Sequence, residues 1–125
     1  MDMELRRKVC RLIAGLVVVD NDLAPEEDAF IEHMLKGFDI PLAERDSIFP
    51  IIDRDEAAAE MRSFPEEVQD EAMGMLAAAA AADGVIADDE RDYLRVAFNA
   101  CGVGDVGLSR RLDEALAARA KAQKA

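Results

Sequence analysis

Acidic side chains recur in this chain at one fixed spacing, and carboxylates can bind a cation or share a proton. Asp20 and Glu27 stand seven residues apart, and Asp83 and Glu90 repeat this pair 63 positions later. Carboxylates that converge repel each other by roughly 3 kcal/mol at about 6 Å in an effective dielectric of about 20, so they are stabilised by a cation or a proton. If the two pairs meet in the fold, the expected chemistry is binding of a cation or a shared proton.

Neither acidic pair belongs to an EF-hand loop. Such a loop places oxygen ligands at positions one, three and five, glycine at six and glutamate at twelve. Counted from Asp20, the fifth position is Ala24 and the sixth is Pro25, and counted from Asp83 the third position is Val85. A metal ion here would therefore need ligands assembled from both pairs.

The spacing also has an explanation without a metal. Asp20 and Asp83 would accept hydrogen bonds from turn amides, while Glu27 and Glu90, in the first turns of their helices, would fold back onto loop N–H groups. Acidic residues are common at helix starts, where the helix dipole favours negative charge. Both explanations stay open at the level of sequence.

The other reactive residue types do not form a catalytic set. His33 is the only histidine and stands beside Met34 and Leu35, which favours an ordinary helix position over a catalytic base. Cys10 and Cys101 are far apart without a CxxC spacing, so we expect buried free thiols in a reducing cytosol. The sequence contains no nucleophile motif and no glycine-rich phosphate loop. We therefore expect that the protein is not an enzyme.

The charge of the chain restricts its partners. The 125 residues carry a formal net charge of −12, and residues 20–92 hold 22 of the 27 acids but five of the 15 basic residues. This balance disfavours nucleic acid, which requires clustered Lys and Arg. Cations or a protein partner fit better. No apolar run approaches the roughly 20 residues that span a bilayer, so we expect a cytoplasmic protein without a membrane span.

Helices must position these acids, because the apolar content is rich in Ala, Leu and Met and the apolar residues recur every three or four positions. A first helix is predicted to end near Asp20, and a second to begin at Pro25 and end with a left-handed Gly37. Weaker signals predict two short helices within residues 41–62. Three more helices are predicted: one after Pro65, one from Asp88 to a stop at Gly102, and one from about residue 108. The predicted inner faces consist of Leu5, Val9, Leu12, Ile13, Leu16 and Val17; Phe30, Ile31, Met34 and Leu35; Val68, Ala72, Met75, Leu76 and Ala79; Tyr93, Leu94, Ala97 and Phe98; and Leu112 and Leu116.

The chain aligns with itself at an offset of 63 residues. Residues 9–40 pair with residues 72–103 without a gap, and apolar positions pair with apolar positions. Each half therefore reads as one helix-turn-helix hairpin with the same buried face. The predicted fold is all-α: a compact bundle of about six to seven helices with an internal two-fold helix-turn-helix repeat, forming a single domain over residues 1–125.

The second copy carries the clearer motif. The tetrapeptide Asp-Gly-Val-Ile at 83–86, followed by Glu90 and preceded by an alanine-rich helix, resembles the repeated motif of the TerB-like family associated with tellurite resistance. The resemblance runs over residues 9–103. The first copy departs from the family pattern at Asn21, where glycine is usual, and asparagine tolerates the left-handed turn.

The resemblance implies an all-helical fold in which the two motifs come together. It also implies an acidic metal site formed by Asp20, Glu27, Asp83 and Glu90, to which Asp22 adds a carboxylate in the first copy only. A site of carboxylates and carbonyls, without thiolate or imidazole, favours calcium or magnesium over zinc.

Two functions are consistent with these features. The first is a TerB-like stress-response protein of the cytoplasm, associated with tellurite resistance, that uses the five acids to bind a divalent cation or, in a cation-dependent way, a protein partner. The second is a metal-free helical protein–protein interaction module, similar to domains attached to J-domain co-chaperones. An exposed apolar groove near Phe38, Ile40, Phe49 and Ile51 would favour the second.

Overall fold

The computed structural model of the chain describes residues 2–17, 25–44, 54–82, 84 and 86–124, and within these ranges it omits the side chains of residues 17, 25–28, 30, 42, 54 and 122–124. The described residues form helices and no strand, so the predicted all-α class is confirmed. The elements are α1 (Met3–Val17), α2 (Pro25–Gly37), a 3₁₀ helix (Leu42–Glu44), α3 (Arg54–Ser63), α4 (Glu66–Ala80), α5 (Asp88–Ala100) and α6 (Asp105–Lys124).

The helices pack around a hydrophobic cluster to which all six contribute. Helix α1 contacts α2, α4 and α5, helix α3 packs against α5, and α6 lies against α4 and α5. Leu12 of α1 and Leu76 of α4 are fully buried. The buried side of α4 also carries alanines, such as Ala72 and Ala79, whose small size lets neighbouring helices approach closely.

The predicted inner faces are largely confirmed, because helical periodicity places residues three and four apart on one side. Leu5, Met75 and Leu116 are only partly buried, and the side chains of Val17 and Phe30 lie outside the described set. The buried members are Val9, Leu12, Ile13, Leu16, Ile31, Met34, Leu35, Val68, Ala72, Leu76, Ala79, Tyr93, Leu94, Ala97, Phe98 and Leu112.

Several helix boundaries agree with the sequence and others shift by a few residues. Pro25 is the first residue of α2 and Asp88 the first of α5, as predicted. Helix α1 ends at Val17, short of the predicted end near Asp20, and residues 18–24 lie outside the described ranges. Helix α6 begins at Asp105, three residues before the predicted start.

The prediction of a left-handed stop at Gly37 is wrong. The residue with positive φ is Asp39, at 59°. The Ile40 N–H donates to the Leu35 carbonyl at 2.9 Å, and the Asp39 N–H donates to the Lys36 carbonyl at 3.1 Å. These two bonds define a Schellman motif, which requires its left-handed residue two positions beyond the last helical residue. Gly37 is still helical and therefore cannot supply it.

Helix α5 ends with the same motif, and here the left-handed residue is the predicted Gly102, at a φ of 81°. The Val103 N–H donates to the Phe98 carbonyl and the Gly102 N–H to the Asn99 carbonyl, both at 3.0 Å. Helices α4 and α5 begin and end 63 residues after α1 and α2. These bounds agree with the offset in the sequence, while the spatial two-fold relation stays a prediction.

Replacing Asp39 with glycine is expected to raise the free energy of unfolding by about 0.5–1 kcal/mol, because glycine adopts positive φ without the steric cost that a side chain carries. Urea denaturation followed by circular dichroism would measure the change. Asp39→Ala is the control and should not stabilise the protein, since alanine keeps the steric cost. A lower midpoint for Asp39→Gly than for the parent would contradict this account of the turn.

Among the helices of the described ranges, none combines the length and the apolar character that crossing a bilayer requires. The prediction that the chain lacks a membrane-spanning helix therefore holds for these helices.

Candidate functional site

The five predicted ligands are described to different extents. Asp20, Asp22 and Asp83 lie outside the described residues, and Glu27 is placed by its backbone alone. Glu27 is the third residue of α2, and Glu90 is the third residue of α5. The two glutamates thus occupy equivalent positions in helices of equal length, while convergence of the five acids stays a prediction.

Glu90 is buried at the start of α5. Its side chain is only 3% exposed, and its Oε1 accepts a hydrogen bond from the Ala87 N–H at 3.1 Å. This is one half of a capping box, because Ala87 has no side-chain oxygen to return the bond. The contact is the one that the metal-free explanation predicted for Glu90, in which the carboxylate folds back onto a loop amide.

Because Glu90 is buried, the groups around its carboxylate affect the free energy of the folded protein. An ionised carboxylate taken out of water loses hydration, and hydrogen bonds and nearby positive potential must replace it. The Ala87 N–H and the positive end of the α5 dipole contribute part of that stabilisation. Glu90 therefore depends on its hydrogen-bond partners and on nearby positive potential.

Arg119 of α6 also contacts the turn between α4 and α5. Its Nε donates to the carbonyl of Ala82 at 2.8 Å. Its guanidinium lies directly over Gly84, so that a Cβ built on Gly84 would be 3.0 Å from Nη1. Gly84 has a φ of 84°, so glycine is favoured here both by the backbone and by the close approach of Arg119.

The sequence did not predict this contact of Arg119. Arg119 and Ala82 are 37 residues apart, and the bond forms only because α6 packs against α4. No local pattern around Arg119 marks it as a partner of the turn. The contact could not have been found without the tertiary structure.

Two ionisable side chains thus contact the segment between α4 and α5: Glu90 at the Ala87 N–H and Arg119 at the Ala82 carbonyl. A carboxylate such as Glu90 is a hard oxygen donor of the kind that calcium and magnesium prefer, so its chemistry fits the expected ion. The guanidinium of Arg119 already supplies one positive charge near Gly84. Among the residues described, no group of three or more His, Cys, Asp or Glu side chains could hold a metal ion, and the remaining predicted ligands fall outside that set.

Burial shields the two thiols, whereas the histidine is exposed. Burial raises the pKa of the Cys10 thiol to about 12, so this thiol is protonated at neutral pH and is a poor nucleophile. Cys101 is partly buried, its pKa is also raised by burial, and both cysteines are free thiols. His33 is exposed on α2.

An apolar groove lies at the C-terminal end of α4, between α2 and α6. It has a volume of about 500 Å³, and alanine supplies six of its eight lining residues. The residues are Ala29, His33, Ala78, Ala81, Ala82, Ala115, Ala118 and Arg119. The sequence had pointed instead to Phe38 and Ile40, together with Phe49 and Ile51.

The residues named in the sequence for such a groove are placed differently. Ile40 is buried, and Phe38 packs, partly buried, against the core. Neither residue provides an exposed apolar surface of the kind expected. Phe49 and Ile51 lie outside the described residues.

Comparison of the chain with protein-family models, with curated proteins and with solved structures found no match.

Proposed function

We propose that this chain is a TerB-like stress-response protein of the cytoplasm, associated with tellurite resistance, that binds a divalent cation at its acidic turns. The ion would be calcium or magnesium, and the ligands would come from Asp20, Asp22, Glu27, Asp83 and Glu90. In this proposal the protein is not an enzyme, and it binds the cation itself or, in a cation-dependent way, a protein partner.

The burial of Glu90 is the observation that carries the proposal. A glutamate that served only to cap a helix could remain at the surface, whereas Glu90 is buried in the first turn of α5. If Asp83, seven positions earlier in the sequence, lies close to it, the two carboxylates gain free energy from a shared cation. The equivalent helix position of Glu27 supports a second contribution of the same kind.

Unfolding of metal-free protein, with and without millimolar calcium or magnesium, tests the proposal. An ion that binds only the folded state at about 100 times its dissociation constant should stabilise it by about 2.7 kcal/mol. Glu90→Gln should remove this stabilisation while leaving an amide oxygen that can accept from the Ala87 N–H. The double variant Asp83→Asn/Glu90→Gln should remove it as well.

The matched control is Asp89→Asn, which removes one negative charge from the same first turn of α5. Asp89 is exposed and was not predicted as a ligand, so this variant should keep the full response to the ion. Equal loss of response in Asp89→Asn and Glu90→Gln would indicate general charge screening. No stabilisation of the parent, with Glu90→Gln as stable as the parent or more so, would reject the cation site.

The second candidate is a metal-free helical module that binds a protein partner. The alanine-lined groove between α2, α4 and α6 favours it, because a floor of small side chains lets another helix approach closely. The hydrogen bonds of Arg119 and Glu90 also contribute to holding the turn beside that groove without requiring an ion. A chain that shows no response to calcium or magnesium would support this candidate.

A further inference from the structure

The two halves of α6 differ in how firmly they are held. In the N-terminal half, Leu108 and Leu112 are at most 2% exposed, and Arg111 forms an ion pair with Asp70 of α4. Within residues 113–121 every described side chain is partly or fully exposed. Since buried apolar area supplies most of the stabilisation of a packed helix, the C-terminal half contributes much less of it.

The contact between this C-terminal half and α4 is also bordered by open space. A crevice of about 250 Å³ lies between Gly74, Ala77 and Ala78 of α4 and the 111–115 stretch of α6. The alanine-lined groove of about 500 Å³ continues along Ala115 and Ala118. Small side chains with space beside them make few van der Waals contacts, so packing holds this segment weakly.

Arg119 supplies a polar contact where packing is weak. Its Nε donates to the Ala82 carbonyl at 2.8 Å, and its guanidinium covers Gly84. A hydrogen bond from a charged donor is stronger than one between neutral groups. One charged side chain therefore fastens a helical segment whose apolar contacts are few.

We propose that residues 113–124 form a strap, latched by Arg119, that opens as one unit while the N-terminal half of α6 stays in place. Opening moves Ala115, Ala118 and Arg119 away from the groove that they help to line, and so widens it. The strap depends on contacts within the chain and not on the proposed cation. Its test can therefore fail or succeed independently of the cation experiment.

Amide hydrogen exchange of the full chain, read by mass spectrometry without added divalent ions, tests the strap. In the parent, residues 113–120 should exchange together and clearly faster than residues 105–112 or helix α4, because local opening exposes them without global unfolding. Arg119→Met keeps an apolar side chain but cannot donate a hydrogen bond to the Ala82 carbonyl. It should accelerate exchange in 113–120 by roughly tenfold and leave 105–112 and α4 unchanged.

Arg110→Met is the matched control, since Arg110 is exposed on the N-terminal half of the same helix, and it should leave exchange unchanged. Three results would each overturn the strap: equal protection of 113–120 and α4 in the parent, equal acceleration of all segments in Arg119→Met, or no acceleration in that variant. A gradient that rises steadily toward residue 124 would show ordinary fraying and would also overturn it. If Arg119→Met does not fold, the exchange pattern of the parent decides.

Discussion

Phe98→Ala is expected to lower the free energy of unfolding by about 3–5 kcal/mol, the largest effect among the changes considered for this protein. Phe98 is fully buried on α5, and its removal leaves a cavity in the hydrophobic cluster. Its backbone carbonyl also accepts the Val103 N–H that closes the Schellman motif, so the residue lies where the helix end meets the core.

Leu35→Ala is the matched variant, because Leu35 is 63 positions earlier, is equally buried and accepts the equivalent bond from Ile40. We expect a loss of about 2–5 kcal/mol. Guanidinium denaturation, followed by circular dichroism and by tyrosine fluorescence, should show a single coincident transition in both variants. A separate early transition for Leu35→Ala would contradict the prediction that residues 1–125 unfold as one domain.

Gly84→Ala is expected to lower the free energy of unfolding by about 2–3 kcal/mol, the next largest effect. Alanine at a φ of 84° carries a left-handed backbone cost of roughly 1–2 kcal/mol. Its Cβ would also lie 3.0 Å from Nη1 of Arg119, so the guanidinium would have to shift and its hydrogen bond to the Ala82 carbonyl would weaken. Weakening that hydrogen bond adds about 1 kcal/mol.

Gly102→Ala separates the cost of the left-handed backbone from the cost of disturbing the Arg119 hydrogen bond. Gly102 has a φ of 81°, but a Cβ there would meet no atom within 4 Å, so only the backbone cost of roughly 1–2 kcal/mol applies. In the Arg119→Met background, Gly84→Ala should cost about as much as Gly102→Ala, because the contact with Arg119 is already absent. Urea midpoints of the four variants measure this difference. If Gly84→Ala and Gly102→Ala lower the free energy of unfolding of the parent equally, Arg119 does not stabilise the turn.

The helices were predictable because their signals are local. The spacing of apolar residues identified the inner face of α5, from Tyr93 to Phe98, and the start of α2 followed from Pro25. Such patterns depend on neighbours within one or two turns, which the sequence displays directly. The end of α2 was not predictable in this way, because the sequence offers both Gly37 and Asp39 for the left-handed position. The hydrogen bonds of the Schellman motif place that position at Asp39.

The sequence by itself determined the helical class, most of the buried faces, the acidic character and the recurrence of acids at an offset of 63 residues. It also placed Glu90 in the first turn of a helix. Only the tertiary structure decided that Glu90 is buried, that Arg119 of α6 contacts the carbonyl of Ala82, and that the apolar groove lies between α2, α6 and the C-terminal end of α4. The physical reason is distance along the chain: local periodicity selects helices, whereas burial and charge pairing depend on which distant helices pack together.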